Sequence, residues 1–163
     1  MNTPEAKSRE QFLKDPVDGQ VLERLVEAGL TWLRTNQQTV NALNVFPVPD
    51  GDTGTNMVLT MQAALDEVAG SSEHNIGKVA HAVAHGALMG ARGNSGVILS
   101  QLWRGFARAM DQKPALDMPT LVEAFAVVQA ELEHHPRYRD LRLLIIGDEL
   151  GAHPDLRRSV IRS

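Results

Sequence analysis

FPVPDGDTGTNM, residues 46–57, lies between two segments whose apolar residues recur at helical spacing. Its twelve residues include two prolines, two glycines, two aspartates and an asparagine, more than a simple turn requires. Asp50 and Asp52 stand two apart, so an extended backbone points both carboxylates the same way. Prolines stiffen the approach to the pair and glycines loosen the backbone after it, an arrangement suited to a cation. Mg2+ is commonly held by one or two carboxylates together with phosphate oxygens and water. Thr53, Thr55 and Asn56 add neutral oxygens. An EF-hand does not fit: with Asp50 as its first position, Thr55 falls on the required glycine and Met61 on the bidentate glutamate.

The segments around this loop decide the fold class. Upstream, Asp18 reads as an N-cap, followed by Val21, Leu22, Leu25, Val26, Trp32 and Leu33 in a stripe that continues toward Val40 and Leu43. Downstream, Met57, Met61, Ala64, Leu65 and Val68 repeat at helical spacing and stop at Gly70. Ile76, Val79, Ala80, Val83, Ala84, Ala87 and Leu88 make a third stripe, and Val97, Ile98, Leu102, Phe106 and Met110 a fourth. After the loop KPALDMP, Thr120 with Glu123 matches a capping box ahead of Leu121, Ala124, Phe125 and Val128. LRLLIIGDEL, residues 141–150, is dense enough in Leu and Ile for a buried strand. It has nothing to pair with, so it reads as a sixth helix or a poorly packed tail. The expectation is an all-α protein: an arm over 1–17, a helical domain over 18–133 and a diverged tail over 134–163.

A second glycine-rich loop, GARGNSG at residues 90–96, runs straight into the fourth helix. Unpaired N–H groups and the positive end of the helix dipole would face outward there, which makes an anion site. Asn94, Ser95 and Gly96 are its candidate residues, Ser95 as cap or phosphate ligand. The Walker pattern GxxxxGK[ST] is absent. Taken singly, either loop reads equally well as a helix–helix turn with ordinary caps. A carboxylate pair and a phosphate cradle in one small helical domain fit a metal–nucleotide site.

Other features carry less. His81 and His85 stand four apart on one helix, but no HExxH glutamate accompanies them and no third zinc ligand is identifiable. Met57, Met61 and Met89 read as core filler, and Trp103 and Arg104 as surface or rim residues. Sixteen Lys and Arg against twenty Asp and Glu give −4, which argues for neither nucleic acid nor an anionic membrane. There is no cysteine, hence no disulfide or thiolate site. The polar start is no signal peptide, and no run approaches the ~18 apolar residues of a spanning helix. A soluble, cytoplasmic protein is expected.

NALNVFPVPDGDTGTNM (residues 41–57) and GALMGARGNSGVILSQLWRGF (residues 86–106) closely resemble the DhaL-type domain of dihydroxyacetone kinases, also called the DAK phosphatase-like domain. They are most similar to the form that opens the fatty-acid kinase A subunit. The resemblance covers residues 20–130. It implies an antiparallel helical barrel or bundle whose loops at one end hold ATP through two Mg2+ ions. It also implies kinase activity on dihydroxyacetone bound by a partner subunit, or on a fatty acid carried by a DegV-like binding protein, giving an acyl phosphate. By position, Asp50 and Asp52 match the magnesium-binding aspartates, and Asn44 lies nearest to a third aspartate of the dihydroxyacetone branch. Thr53, Thr55, Asn56, Asn94, Ser95 and Gly96 match residues beside the phosphates. Residues after 133 do not resemble the family's continuation, so the barrel is expected to be incomplete there. The alternative to a kinase is an impaired nucleotide-binding or regulatory module, and a homo-oligomer is left open.

Overall fold

The computed structural model describes residues 16–44 and 49–134, with side chains to 130. The expected arm before residue 16, Phe46 and Pro47, and the expected tail with its LRLLIIGDEL segment lie outside the described residues. Those residues form five helices and no strand: α1 (Gly19–Ala42), α2 (Thr53–Asp66), α3 (Ile76–Met89), α4 (Gly93–Ala109) and α5 (Met118–His134). The all-α expectation holds.

Three of the helices begin on side-chain caps. The Asp18 carboxylate accepts from the Val21 amide at 2.9 Å and opens α1, and Asn75 accepts from the Lys78 amide at 3.1 Å and opens α3. The capping box expected at Thr120 and Glu123 does not form. Asp117 accepts from the Thr120 amide at 2.9 Å, so α5 starts earlier, and Glu123 faces Lys113 at 3.6 Å instead. Pro119 explains the shift: in a first turn its missing N–H removes a donor that would have been unpaired anyway.

α3 is the central helix, packed against α1, α2 and α4. Ile76, Val79, Ala80, Val83, Ala84 and Ala87 are all buried, and their small size brings three neighbouring backbones close. Full burial of a Val or Leu contributes about 1.5–3 kcal/mol, so this helix carries much of the apolar stabilisation. Leu22, Val26, Leu30 and Leu33 line the buried face of α1. That face is narrower than the expected stripe. Leu25 is 46% and Trp32 66% exposed, because among the described residues only helices α2 and α3 lie against α1. Leu30, outside the expected stripe, is 1% exposed. Met89 is also exposed rather than core filler, whereas Trp103 is partly buried and donates from Nε1 to the Met61 sulfur at 3.1 Å. Among the described residues α5 packs on α4 alone and does not meet α1.

The starts of α1, α3 and α5 gather at one end. The Gly19 amide donates to the His74 carbonyl at 2.8 Å, and the Ile76 amide to the Pro114 carbonyl at 3.1 Å. Within the expected arm, Val17 exchanges two backbone bonds of 2.8 Å with Leu116. α2 and α4 begin at the other end, where both polar loops lie.

Carboxylates tie the first end together. His74 Nδ1 sits 2.7 Å from Asp18, and this bond, with the Val21 amide, holds the Asp18 carboxyl below its usual 3.8. The Asn75 amide and Lys78 lower Glu73 from 4.5, and the Thr120 side chain and amide lower Asp117 from 3.8. Each group is more acidic folded than unfolded. Its contribution is therefore complete above the unfolded value and is lost as pH falls through the folded one. Thermal unfolding should show a flat midpoint from neutral pH down to about 5 and a decline below about 4. Asp18→Asn should make that acid limb shallower; an unchanged limb would remove Asp18 from the account.

Candidate functional site

The two loops singled out in the sequence meet. α2 begins at Thr53 with Asp52 in the N-cap position, and α4 begins at Gly93 with Arg92 in that position. The Ser95 hydroxyl donates to the Thr53 carbonyl at 3.4 Å, which joins one first turn to the other. Gly93 has a φ of +56°, the left-handed region that favours glycine, and the Asn56 side-chain amide occupies the space a Cβ would take there. Gly96 is buried, and its missing Cβ leaves room for the Thr60 hydroxyl.

Neither helix uses its own N-cap side chain: Asp52 and Arg92 both make no side-chain cap hydrogen bond. This sets them apart from α1, α3 and α5. Among the described residues no group accepts from the amides of Gly93, Asn94 or Ser95. Those donors, at the positive end of α4, are available to an anion.

Asp50 and Asp52 are both exposed on the α2 side. The Asn44 amide nitrogen donates to Asp50 Oδ1 at 2.5 Å, so the nitrogen is turned toward the carboxylate. Among the described residues no third His, Asp or Glu joins the pair. Two hard carboxylates with the remaining positions open suit Mg2+ completed by phosphate oxygens and water. His81 and His85 turn to different partners, Asp111 at 3.8 Å and Glu67 at 3.3 Å.

Other expected residues divide between support and exposure. Thr55 is engaged with α1: its hydroxyl accepts from Gln37 at 2.9 Å and from Asn41 at 3.1 Å. Asn56 packs beside Gly93, and its carbonyl accepts from the Thr60 hydroxyl at 2.8 Å. Asn94 is exposed at the open turn of α4. Ser95 does not cap α4, since the helix already begins two residues before it.

Thr60 carries no signal of a role in the sequence beyond being a polar residue on the apolar side of α2, next to Met61. It is fully buried on α2, and its hydroxyl also accepts from the Arg92 amide at 3.2 Å. One side chain thus fixes the entry to α4 against α2.

An all-α domain with an acidic loop and an open helix start side by side is the class this arrangement defines. The chain belongs to the DAK2 domain family, whose model matches residues 47–139, and it is a DhaL-type, kinase-related domain. It is 48% identical over 117 residues to Protein YloV of Bacillus subtilis (strain 168), covering 72% of this chain and 21% of YloV. It is 45% identical over 109 residues to an uncharacterized protein of Staphylococcus aureus (strain USA300), covering 67% of this chain and 20% of that protein. The chain therefore spans about a fifth of the length of these relatives. No helix among the described residues is long and apolar enough to cross a membrane.

Thr60→Val keeps the shape and removes the hydroxyl. It should destabilise the chain by about 1 kcal/mol and speed amide exchange at Arg92, while Thr60→Ser keeps the bond to Arg92. Urea unfolding with exchange read by NMR checks this; an Arg92 amide equally protected in Thr60→Val would show that the hydroxyl does not hold the loop.

Proposed function

We propose that this end of the bundle is an ATP- and Mg2+-dependent phosphotransferase site of the dihydroxyacetone kinase and fatty-acid kinase type. Its acceptor is a hydroxyl or carboxylate delivered by a partner protein. The observation that carries the reading is the convergence of two helix starts without side-chain caps beside two exposed carboxylates. Family membership supports it.

Asp50 and Asp52 would hold Mg2+, with two ions when ATP is bound and Asn44 next to the pair. The metal supplies neutralisation of phosphate charge. The amides of Gly93, Asn94 and Ser95 would donate to phosphate oxygens, aided by the α4 dipole. Thr53, Asn56 and Gly96 shape the floor between the loops. Phosphoryl transfer depends chiefly on positioning and electrostatic stabilisation, and it needs no covalent nucleophile. A carboxylate acceptor is already ionised at pH 7 and needs no general base. Its oxygen would take the terminal phosphoryl group, with ADP leaving.

Calorimetry of the full chain tests the site. Asp50→Ala and Asp52→Ala should each weaken Mg2+-dependent ATP binding roughly ten- to hundredfold with helical content unchanged; unaltered affinity in either variant would overturn the assignment. Gly96→Val should weaken ATP more than adenosine, since only ATP uses the loop amides, whereas an equal loss would remove the phosphate role. Transfer of labelled phosphate to a fatty acid held by its binding protein separates a kinase from a module that only binds nucleotide.

A further inference from the structure

Asp52 occupies the N-cap position of α2, where an aspartate ordinarily accepts from an amide two or three residues on. It makes no such bond. The Thr55 amide, third in the helix, donates at 3.1 Å to Oδ1 of Asn41, in the last turn of α1. The bond is returned: Asn41 Nδ2 donates to the Thr55 hydroxyl at 3.1 Å. Gln37, one turn earlier on α1, donates to the same hydroxyl. Gly54 lets the helices approach this closely, because a Cβ there would lie 3.0 Å from Asn41 Oδ1 and 3.1 Å from Val40 Cβ. The Asn41 carbonyl also accepts from the Asn44 amide at 3.1 Å, and Asn44 in turn holds Asp50.

We propose that Asn41 is the positioning residue of Asp52: it caps α2 from the neighbouring helix, so that Asp52 is kept out of the cap and available to a ligand. A carboxylate spent on its own helix start would be turned inward and partly neutralised by the amides it accepts from. With the cap supplied by α1, the α2 start is satisfied and Asp52 stays exposed. The last turn of α1 also bears on Asp50, through the Asn41 main-chain carbonyl and Asn44, but the Asn41 side chain acts on the α2 start alone. The identity of what the pair binds rests on the reading proposed above; the cap does not.

The test uses the full chain as wild type, Asn41→Leu, Asn41→Asp and Asp52→Ala, with Thr55 amide exchange followed by NMR without ligand. Asn41→Leu removes the acceptor at similar volume and should speed Thr55 exchange about tenfold. Asn41→Asp keeps the acceptor oxygen and should restore protection, and Asp52→Ala should leave it unchanged. Should Asn41→Leu not fold, Asp52→Ala still decides: a Thr55 amide deprotected in that variant means that Asp52 is the cap, and the inference falls. It falls also if Asn41→Leu leaves Thr55 as protected as in the wild type. Mn2+ affinity in the presence of ATP should drop in Asn41→Leu and return in Asn41→Asp, a rescue that a purely structural role would not give. If the wild type binds no Mn2+ with ATP, the functional reading fails, while the exchange measurements still decide the cap.

Discussion

A helix start exposes amides that must find acceptors, and in this bundle two such starts meet without caps of their own. The acceptors come from neighbours: Asn41 of α1 serves the Thr55 amide, and Thr60 of α2 serves the Arg92 amide at the entry to α4. Satisfying these groups from outside leaves Asp52 out of the cap. Asp50, Asp52 and the amides of Gly93, Asn94 and Ser95 can face a ligand. The same borrowed bonds fix α1 to α2 and α2 to α4, so the structural joints and the site share side chains.

The opposite end obeys the ordinary rule. Asp18, Asn75 and Asp117 cap the helices they precede, and bonds among the loops close that end. Between the two ends, α3 keeps the helices near one another through a run of Ala, Gly and Val. Its link to α4 is only three residues, Gly90, Ala91 and Arg92, so the position of α3 largely dictates where the glycine-rich loop lies. Packing in the middle thus controls chemistry at one end. Conserving the bundle and conserving the site would make overlapping demands on the chain.

Membership in the DAK2 domain family agrees with the all-α architecture, in which the helices bring two polar loops together at one end. The chain spans about a fifth of its longer relatives, so acceptor and partner belong to the proposal. The described residues place exposed carboxylate oxygens on one loop and unpaired N–H donors on the other.

Much of this was legible locally. Helical periodicity depends on neighbours three and four residues away, so all five helices could be read from the chain, and Asp18 could be read as a cap from the residues just after it. Asp50 and Asp52 stood out because their spacing and flanking glycines are themselves local signals. The width of each buried face was not legible. Periodicity marks the apolar side of α1, but the absence of a helix over Leu25 and Trp32 among the described residues leaves them exposed. The capping box at Thr120 failed because Asp117 could take the same amide and Pro119 suited the earlier turn. Least legible were Asn41 and Thr60, whose bonds span 14 and 32 residues of sequence. The sequence determined which groups were on offer at the two loops; tertiary packing decided which were consumed as caps, because the nearest acceptor in space belonged to another helix.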